Sequence, residues 1–137
     1  MTIPSGQTPD AGGNDSMDVT DKIQAIMQAI GEAEGFGIPG KIPTLANNRG
    51  DLVMGDIGYG TLGSQKITVF ATVEDGDAEL AHQISLWING TSKYYSQTST
   101  WNQIGTKYSG PGTPWAANVA RALGVDPNST LGNYLAV

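Results

Sequence analysis

The sequence of 137 residues contains no cysteine and a single histidine, His82. Without cysteine the chain has no disulfides, zinc ribbons, iron–sulfur clusters or cysteine nucleophiles. With one histidine it cannot build a site from several histidine ligands. We therefore predict no metal site and no cofactor. We place His82 on the surface, because it lies off the apolar stripe of its predicted helix.

Basic residues are also scarce. Seven Lys and Arg against thirteen Asp and Glu leave a net charge of −6. Binding to nucleic acid or to anionic lipid needs a basic face, so we expect neither as a partner. No stretch approaches the roughly 20 apolar residues of a membrane span. No basic start followed by an apolar run indicates a secretory signal peptide.

Turn-forming residues are abundant, with 19 Gly and 7 Pro. Residues 1–17 hold almost nothing that could be buried, and we predict a flexible N-terminal arm there. Residues 18–137 are predicted to form one domain. We assign it to the α+β class: mainly helical, with a small β element after the first helix.

Apolar spacing and capping residues predict four helices. The first begins at Asp18 or Thr20 and runs into Glu34, and the second covers about Asp75–Asn89. Ser99 or Thr100 caps the third, and Thr113 with Pro114 at the first helical position opens the fourth, which stops at Gly124. The segment Lys66–Ala71 reads as a strand, and Leu52–Met54 could supply short strand pieces. We expect Asp126–Val137 to form a packed turn.

Two short sequence patterns resemble ligand-binding motifs. The segment 58–63 matches the spacing G-x-G-x-x-G, but a dinucleotide site needs a strand before it and a helix after it. A strand pattern follows instead, so we interpret the segment as a hairpin or loop. The acids at 74–79 lack the ligand spacing of a calcium loop. They fit the first turns of the second helix, where the helix dipole favours negative charge.

Glu34 is the most informative acid. Positions 23, 27, 30 and 34 lie on one face of the first helix, so Glu34 continues its apolar stripe, whereas Glu32 should face water. Such an acid is either a structural group bonded to loop amides or a carboxyl in a poorly solvated site. In the second case its pKa rises, and it becomes a general acid at neutral pH.

Four motifs in order resemble the lysozyme-like peptidoglycan hydrolases and lytic transglycosylases associated with bacteriophage virions. They are Ala33-Glu34-Gly35-Phe36, Asn47-Asn48-Arg49-Gly50-Asp51-Leu52, Phe70-Ala71-Thr72-Val73-Glu74-Asp75-Gly76 and Trp115-Ala116-Ala117-Asn118-Val119-Ala120. The resemblance covers about residues 23–131. It implies a lysozyme-like fold, in which a helix delivers one catalytic glutamate to a groove floored by a small β element.

The resemblance assigns the catalytic role to Glu34 and places Asn47 and Asn48 along the groove, with Trp115 where these enzymes usually have a tyrosine. The chain departs from the common Asn-Asn-Pro-Gly-Asn segment at Arg49 and Asp51. Asp51 could therefore supply a second carboxylate or only a hydrogen-bond acceptor. The other substrate-binding candidates are Gln83 and Tyr95, with Tyr59, Tyr94 and Trp101 as further stacking aromatics and Asp56 as a reserve acid.

The implied reaction is cleavage of the β-1,4 bond between N-acetylmuramic acid and N-acetylglucosamine, with a peptidoglycan glycan strand as partner. A lytic transglycosylase needs only Glu34, whereas an inverting hydrolase needs a second carboxylate about 6.5–9.5 Å away. The sequence leaves this choice open. It also leaves open a non-catalytic glycan-binding or structural module on the same fold, and an acidic interaction domain that uses the cluster at 74–79.

An enzyme that degrades the cell wall must reach the wall. Without a visible signal peptide, we expect the protein to be carried in a virion or exported by another route, with a virion or tethering partner. Such delivery also fits the acidic composition, because a tethered enzyme needs little electrostatic steering towards an anionic wall.

Overall fold

The computed structural model describes residues 18–137, so the predicted arm at 1–17 lies outside the described residues. The elements in chain order are α1 (Val19–Glu34), α2 (Ile42–Leu45), β1 (Thr61–Leu62), β2 (Ile67–Thr68), α3 (Val73–Asn89), α4 (Trp101–Ser109), α5 (Trp115–Leu123) and α6 (Leu131–Ala136). This part of the chain is mainly helical with one small antiparallel sheet, which confirms the predicted class.

The predicted caps of α1 and α4 are confirmed, and α3 begins at Val73, two residues before the predicted start at about Asp75. The Asp18 carboxylate accepts a hydrogen bond from the Asp21 amide at the start of α1, and Thr72 caps α3 in the same way. Thr100 forms a capping box with Gln103 at α4. The left-handed glycines that follow α1, α3 and α5 close them without the steric penalty of a Cβ.

The core forms where α1 packs against α3 and α5, and where α4 packs against α5. Each long helix contributes the apolar stripe expected from its spacing. The buried side chains are Ile26, Met27 and Ile30 from α1, Leu80, Ile84 and Trp87 from α3, Trp101 and Ile104 from α4, and Trp115 and Val119 from α5. The end of α1 is thereby held against the start of α5, which brings Glu34 and Trp115 together.

The β element is smaller than predicted. β1 and β2 pair with Thr61 opposite Thr68 and Leu62 opposite Ile67, which confirms a hairpin around the glycine-rich segment. The strand expected over Lys66–Ala71 is reduced to two residues. No strand forms at Leu52–Met54 in the described chain; the Leu52 carbonyl accepts one backbone hydrogen bond, from the Thr68 amide at 3.0 Å.

Three further boundaries differ from the prediction. Pro114 is the N-cap of α5 rather than its first helical residue, so the helix begins at Trp115. The expected packed turn at the end of the chain contains the helix α6, capped by Thr130. Between α1 and the hairpin the chain forms the single turn α2, with Pro43 near its start. The elements α2 and α6 have six residues or fewer, too few for a periodic pattern.

Within residues 18–137, no helix combines the length and apolar character needed to cross a membrane. The same residues contain no group of three or more acidic or histidine side chains that could hold a metal ion. His82 is exposed, as predicted, and so is Glu32.

Candidate active site

The candidate site is centred on the Glu34 carboxyl, at the last residue of α1. Trp115, the first residue of α5, donates a hydrogen bond from Nε1 to Oε2 of Glu34 at 2.9 Å. The Asp51 side chain lies within hydrogen-bond reach of the Glu34 carboxyl. Because Gly35 turns the chain away in the left-handed conformation, Glu34 stays at the open end of the helix, partly buried.

A tight turn delivers Asp51. The Asp51 amide donates to the Asn48 carbonyl at 3.1 Å, and Asp51 itself has a φ of +55°. The Asn48 side chain stabilises this turn with three hydrogen bonds. Its Oδ1 accepts from the Leu52 amide, and its Nδ2 donates to the carbonyls of Leu52 and Thr68. The side-chain amide of Asn48 therefore connects the hairpin to the turn, and this connection orients Asp51 towards the end of α1.

The same turn is also held from the helix side. Arg49 forms a bidentate ion pair with Asp77 of α3, with N–O distances of 2.9 and 3.2 Å. The Arg49 guanidinium also lies 4.4 Å from the centre of the Phe36 ring. A Cβ at Gly50 would lie 2.7 Å from the Leu80 side chain. Because glycine has no Cβ, the backbone of the turn can pack closely against α3. These contacts fix the distance between Asp51 and Glu34.

A groove of about 300 Å³ opens beside Asp51, and Glu34 is not among the residues that line it. Its volume is at the lower end of small-molecule sites. Aromatic side chains form much of its wall, together with Asp51 and two polar groups. Its lining residues are Asp51, Leu52, Val53, Gln83, Trp87, Tyr94, Tyr95, Lys107 and Tyr108. Such a wall of flat rings with a few polar groups suits a sugar, whose ring faces are apolar and whose edges carry hydroxyls.

Tyr108 links the groove to the carboxyl pair. Its ring stacks on Trp115 with centroids 4.8 Å apart, and its hydroxyl donates to the Gly50 carbonyl. Burial raises the pKa of Tyr108 well above its usual value, and the nearby Glu34 charge adds to this shift. Tyr108 therefore remains a neutral hydrogen-bond donor that braces the turn.

The electrostatics of the site favour a protonated Glu34. Burial, followed by the negative charge of Asp51, raises the Glu34 pKa to about 7, although the Trp115 hydrogen bond opposes the shift. Burial also raises the pKa of Asp51, while the hydrogen bond from Glu34 lowers it. A carboxyl that still carries its proton near neutral pH is what a general acid requires.

The structure brings four of the sequence-predicted residues to the groove. Asp51, Gln83 and Tyr95 line it, and Gln83 is held by a 2.9 Å bond to Glu79. Tyr94 also lines it and is 61% exposed. Tyr59 is exposed on the hairpin loop and is not among the lining residues.

The structure gives the other predicted residues a supporting position instead of a sugar-facing one. Asn48 is fully buried, and Trp115 is only 2% exposed. Asn47 uses its side-chain amide to bond the carbonyls of Phe70 and Ala71. The stacking role suggested for Trp101 is wrong, because its side chain has no exposed surface. Asp56 bonds the amides of its own loop, at Gly58 and Gly60.

Sequence reasoning missed Lys107 and Tyr108 as site residues. Tyr108 continues the apolar stripe of α4 from Trp101 and Ile104, so its spacing predicts a core position rather than a groove wall. Trp87 lies on the apolar stripe of α3 and is 2% exposed, yet it also lines the groove. The groove is formed by residues of α3, of α4 and of two loops that are far apart in the chain, and no local pattern carries that information.

Comparisons of the chain with protein-family models, with characterised proteins and with solved structures find no match. The fold and the geometry of the site are therefore the basis for a functional proposal.

Proposed function

We propose that the protein is a lysozyme-like glycosidase that cleaves peptidoglycan at the β-1,4 bond between N-acetylmuramic acid and N-acetylglucosamine, with Glu34 as the general acid. One observation carries the proposal: a glutamate with a pKa raised to about 7 ends a helix, and its neighbour Asp51 lines an aromatic groove. A glutamate at the end of the first helix is also the catalytic group that the sequence resemblance implies.

In the proposed reaction the Glu34 carboxyl gives its proton to the glycosidic oxygen as the C1–O4 bond breaks. The resulting carboxylate then takes the proton of the muramyl 6-hydroxyl. The hydroxyl oxygen closes onto C1, which forms a 1,6-anhydro end and restores the Glu34 proton. Tyr94, Tyr95 and Gln83 would hold the sugars along the groove.

The position of Asp51 favours this transglycosylase route over inverting hydrolysis. An inverting pair of carboxyls stands about 6.5–9.5 Å apart so that a water fits between them, and a retaining pair about 5–5.5 Å apart. Asp51 acts on the Glu34 carboxyl at hydrogen-bond range, closer than the separation of an inverting pair. In the proposed route Asp51 is therefore not assigned the role of a base that activates water.

The first test measures loss of turbidity in a suspension of purified peptidoglycan sacculi. Glu34→Gln should slow clearance at least about 100-fold, because a positioned general acid contributes about 10²–10⁴ to the rate. Glu32→Gln is the matched control, since Glu32 is an exposed acid two residues earlier on the same helix. It should clear at the wild-type rate. Equal activity of Glu34→Gln and wild type would remove Glu34 from catalysis.

Mass spectrometry of the released fragments separates the two chemical routes. Anhydro ends are lighter by one water than reducing ends, and we expect anhydro ends. Tight binding of the sacculi without any released fragment would instead support a non-catalytic glycan-binding module.

A further inference from the structure

One oxygen of the carboxyl pair lacks a partner. Oδ1 of Asp51 is buried, and no donor among residues 18–137 bonds to it. A buried carboxylate oxygen without a hydrogen bond is unfavourable, because burial removes water and supplies nothing in its place. The Asp51 backbone does not relieve this, since its own amide is used in the turn with Asn48.

The Glu34 carboxyl is within hydrogen-bond range of the Asp51 side chain, so it can satisfy Oδ1 if it carries a proton. Oε2 of Glu34 already accepts the Trp115 bond. Ionised carboxylates only accept hydrogen bonds, so Glu34 and Asp51 can bond to each other only if one of them carries a proton.

The surroundings do not stabilise two negative charges. The only ion pair among the described residues joins Arg49 to Asp77, so the nearest arginine is already engaged by α3. From α4, Tyr108 presents a neutral hydroxyl that is bonded to Gly50, and Lys107, at the groove wall, donates to the Tyr94 carbonyl at 3.3 Å. From α5, Trp115 offers one neutral N–H, to Glu34 alone.

We propose that Glu34 and Asp51 share a single proton, held on Glu34 and donated to Oδ1 of Asp51. Asp51 is then a positioning residue: it keeps the proton on Glu34 and fixes the direction of that proton. The sharing itself does not depend on glycan cleavage. Its catalytic consequence does rest on the function proposed above: once Glu34 has given up the proton, two adjacent negative charges favour its return, which suits the base step.

The backbone makes this proposal testable by substitution. With a φ of +55°, Asp51 occupies the left-handed region, which glycine and asparagine adopt readily. Asp51→Asn keeps the side-chain size and removes the charge, and Asp51→Gly removes the whole side chain. Both should preserve the turn, so an effect on Glu34 will not reflect a misfolded site.

The measurement is a pH titration of ¹³C-labelled Glu and Asp side chains, followed by carboxyl chemical shifts in NMR without any substrate. In the wild type the Glu34 and Asp51 signals should each move in two coupled steps. In both Asp51 variants Glu34 should titrate in one step with its midpoint lowered by about one unit. Glu32→Gln should leave both signals unchanged. A Glu34 midpoint that is the same in wild type and both variants overturns the proposal.

A second readout separates this proposal from the proposed function. If sacculi are cleared, the upper pH limit of clearance should fall in Asp51→Asn by the same amount as the Glu34 midpoint. Coupled titration without clearance would preserve the shared proton and reject the glycosidase. Clearance that needs Glu34 but shows no coupling would reject the shared proton and preserve the glycosidase.

Discussion

At the scale of single residues, Glu34 has opposite effects on activity and on stability. The surroundings that keep the Glu34 carboxyl protonated also destabilise its ionised form. Below its unfolded pKa of 4.5 the carboxyl is protonated in both states, and between 4.5 and about 7 only the folded state keeps the proton. Because the folded state then binds more protons, stability falls as the pH rises through this interval.

We therefore predict that Glu34→Gln stabilises the protein at pH 8 by about 3 kcal/mol, the free energy that corresponds to raising the pKa from 4.5 to about 7. The gain should shrink as the pH falls and disappear near pH 4, since glutamine resembles the protonated acid. Urea unfolding at several pH values measures it. Glu32→Gln should change stability little and without this pH dependence; a gain for Glu34→Gln that is constant with pH would contradict the explanation.

Residue-scale reasoning also explains which site predictions needed the structure. The position of Glu34 on the stripe of α1 follows from helical spacing, so the sequence identified it. Asn48 is part of the same motif, but its three bonds to Leu52 and Thr68 depend on a hairpin that begins more than ten residues later. Spacing along the chain does not indicate whether an amide faces a ligand or holds a turn.

At the scale of elements, local signals determined what could be predicted. α1, α3 and α4 have capping residues and long apolar stripes, and their bounds agree with the prediction to within about two residues. α2 and α6 are too short to show a period, and the two-residue strands depend on tertiary partners such as the Leu52 carbonyl. The carboxyl pair joins α1 to a turn outside any regular element, so its geometry could not be read from the sequence.

The contact between α3 and the turn that carries Asp51 depends on Gly76. A Cβ at this position would lie 2.0 Å from the Asn47 carbonyl oxygen, which is a backbone atom and cannot move aside cheaply. We predict that Gly76→Ala destabilises the protein by about 3 kcal/mol despite the better helix propensity of alanine. The displaced turn should also disturb the Asp51 carboxyl signal in NMR.

Gly31 in α1 provides the control for this prediction. A Cβ there would meet Cγ of Arg49 at 2.8 Å, but that atom belongs to a flexible side chain. Gly31→Ala should therefore cost no more than about 1 kcal/mol, because the arginine can shift while the helix gains from alanine. Equal losses for both variants in urea unfolding would show that helix backbone effects, not the contact with Asn47, dominate.

At the scale of the whole molecule, Lys22 connects the two ends of the described chain. It lies in α1 and is only 3% exposed, which is unusual for a lysine. Its ammonium group donates to the carbonyls of Tyr134, at 3.0 Å, Leu135, at 2.7 Å, and Val137. These carbonyls end α6, where a positive charge also complements the helix dipole. The helix that positions Glu34 is thus anchored at its other end by a buried cation.

We predict that Lys22→Met lowers the free energy of unfolding by about 2 kcal/mol or more, because it removes charged hydrogen bonds and leaves buried carbonyls without donors. Lys41→Met, at an exposed lysine, should change it by less than about 0.5 kcal/mol.

Hydrogen exchange in Lys22→Met distinguishes local from global effects. The α6 amides should lose protection first, while those of α3 should lose protection only as far as the global stability falls. Uniform loss across both helices would mean that Lys22 stabilises the core as a whole and not the end of α6. Since α1 also carries Glu34 into the site, the midpoint of the Glu34 titration should stay near 7 if only α6 detaches.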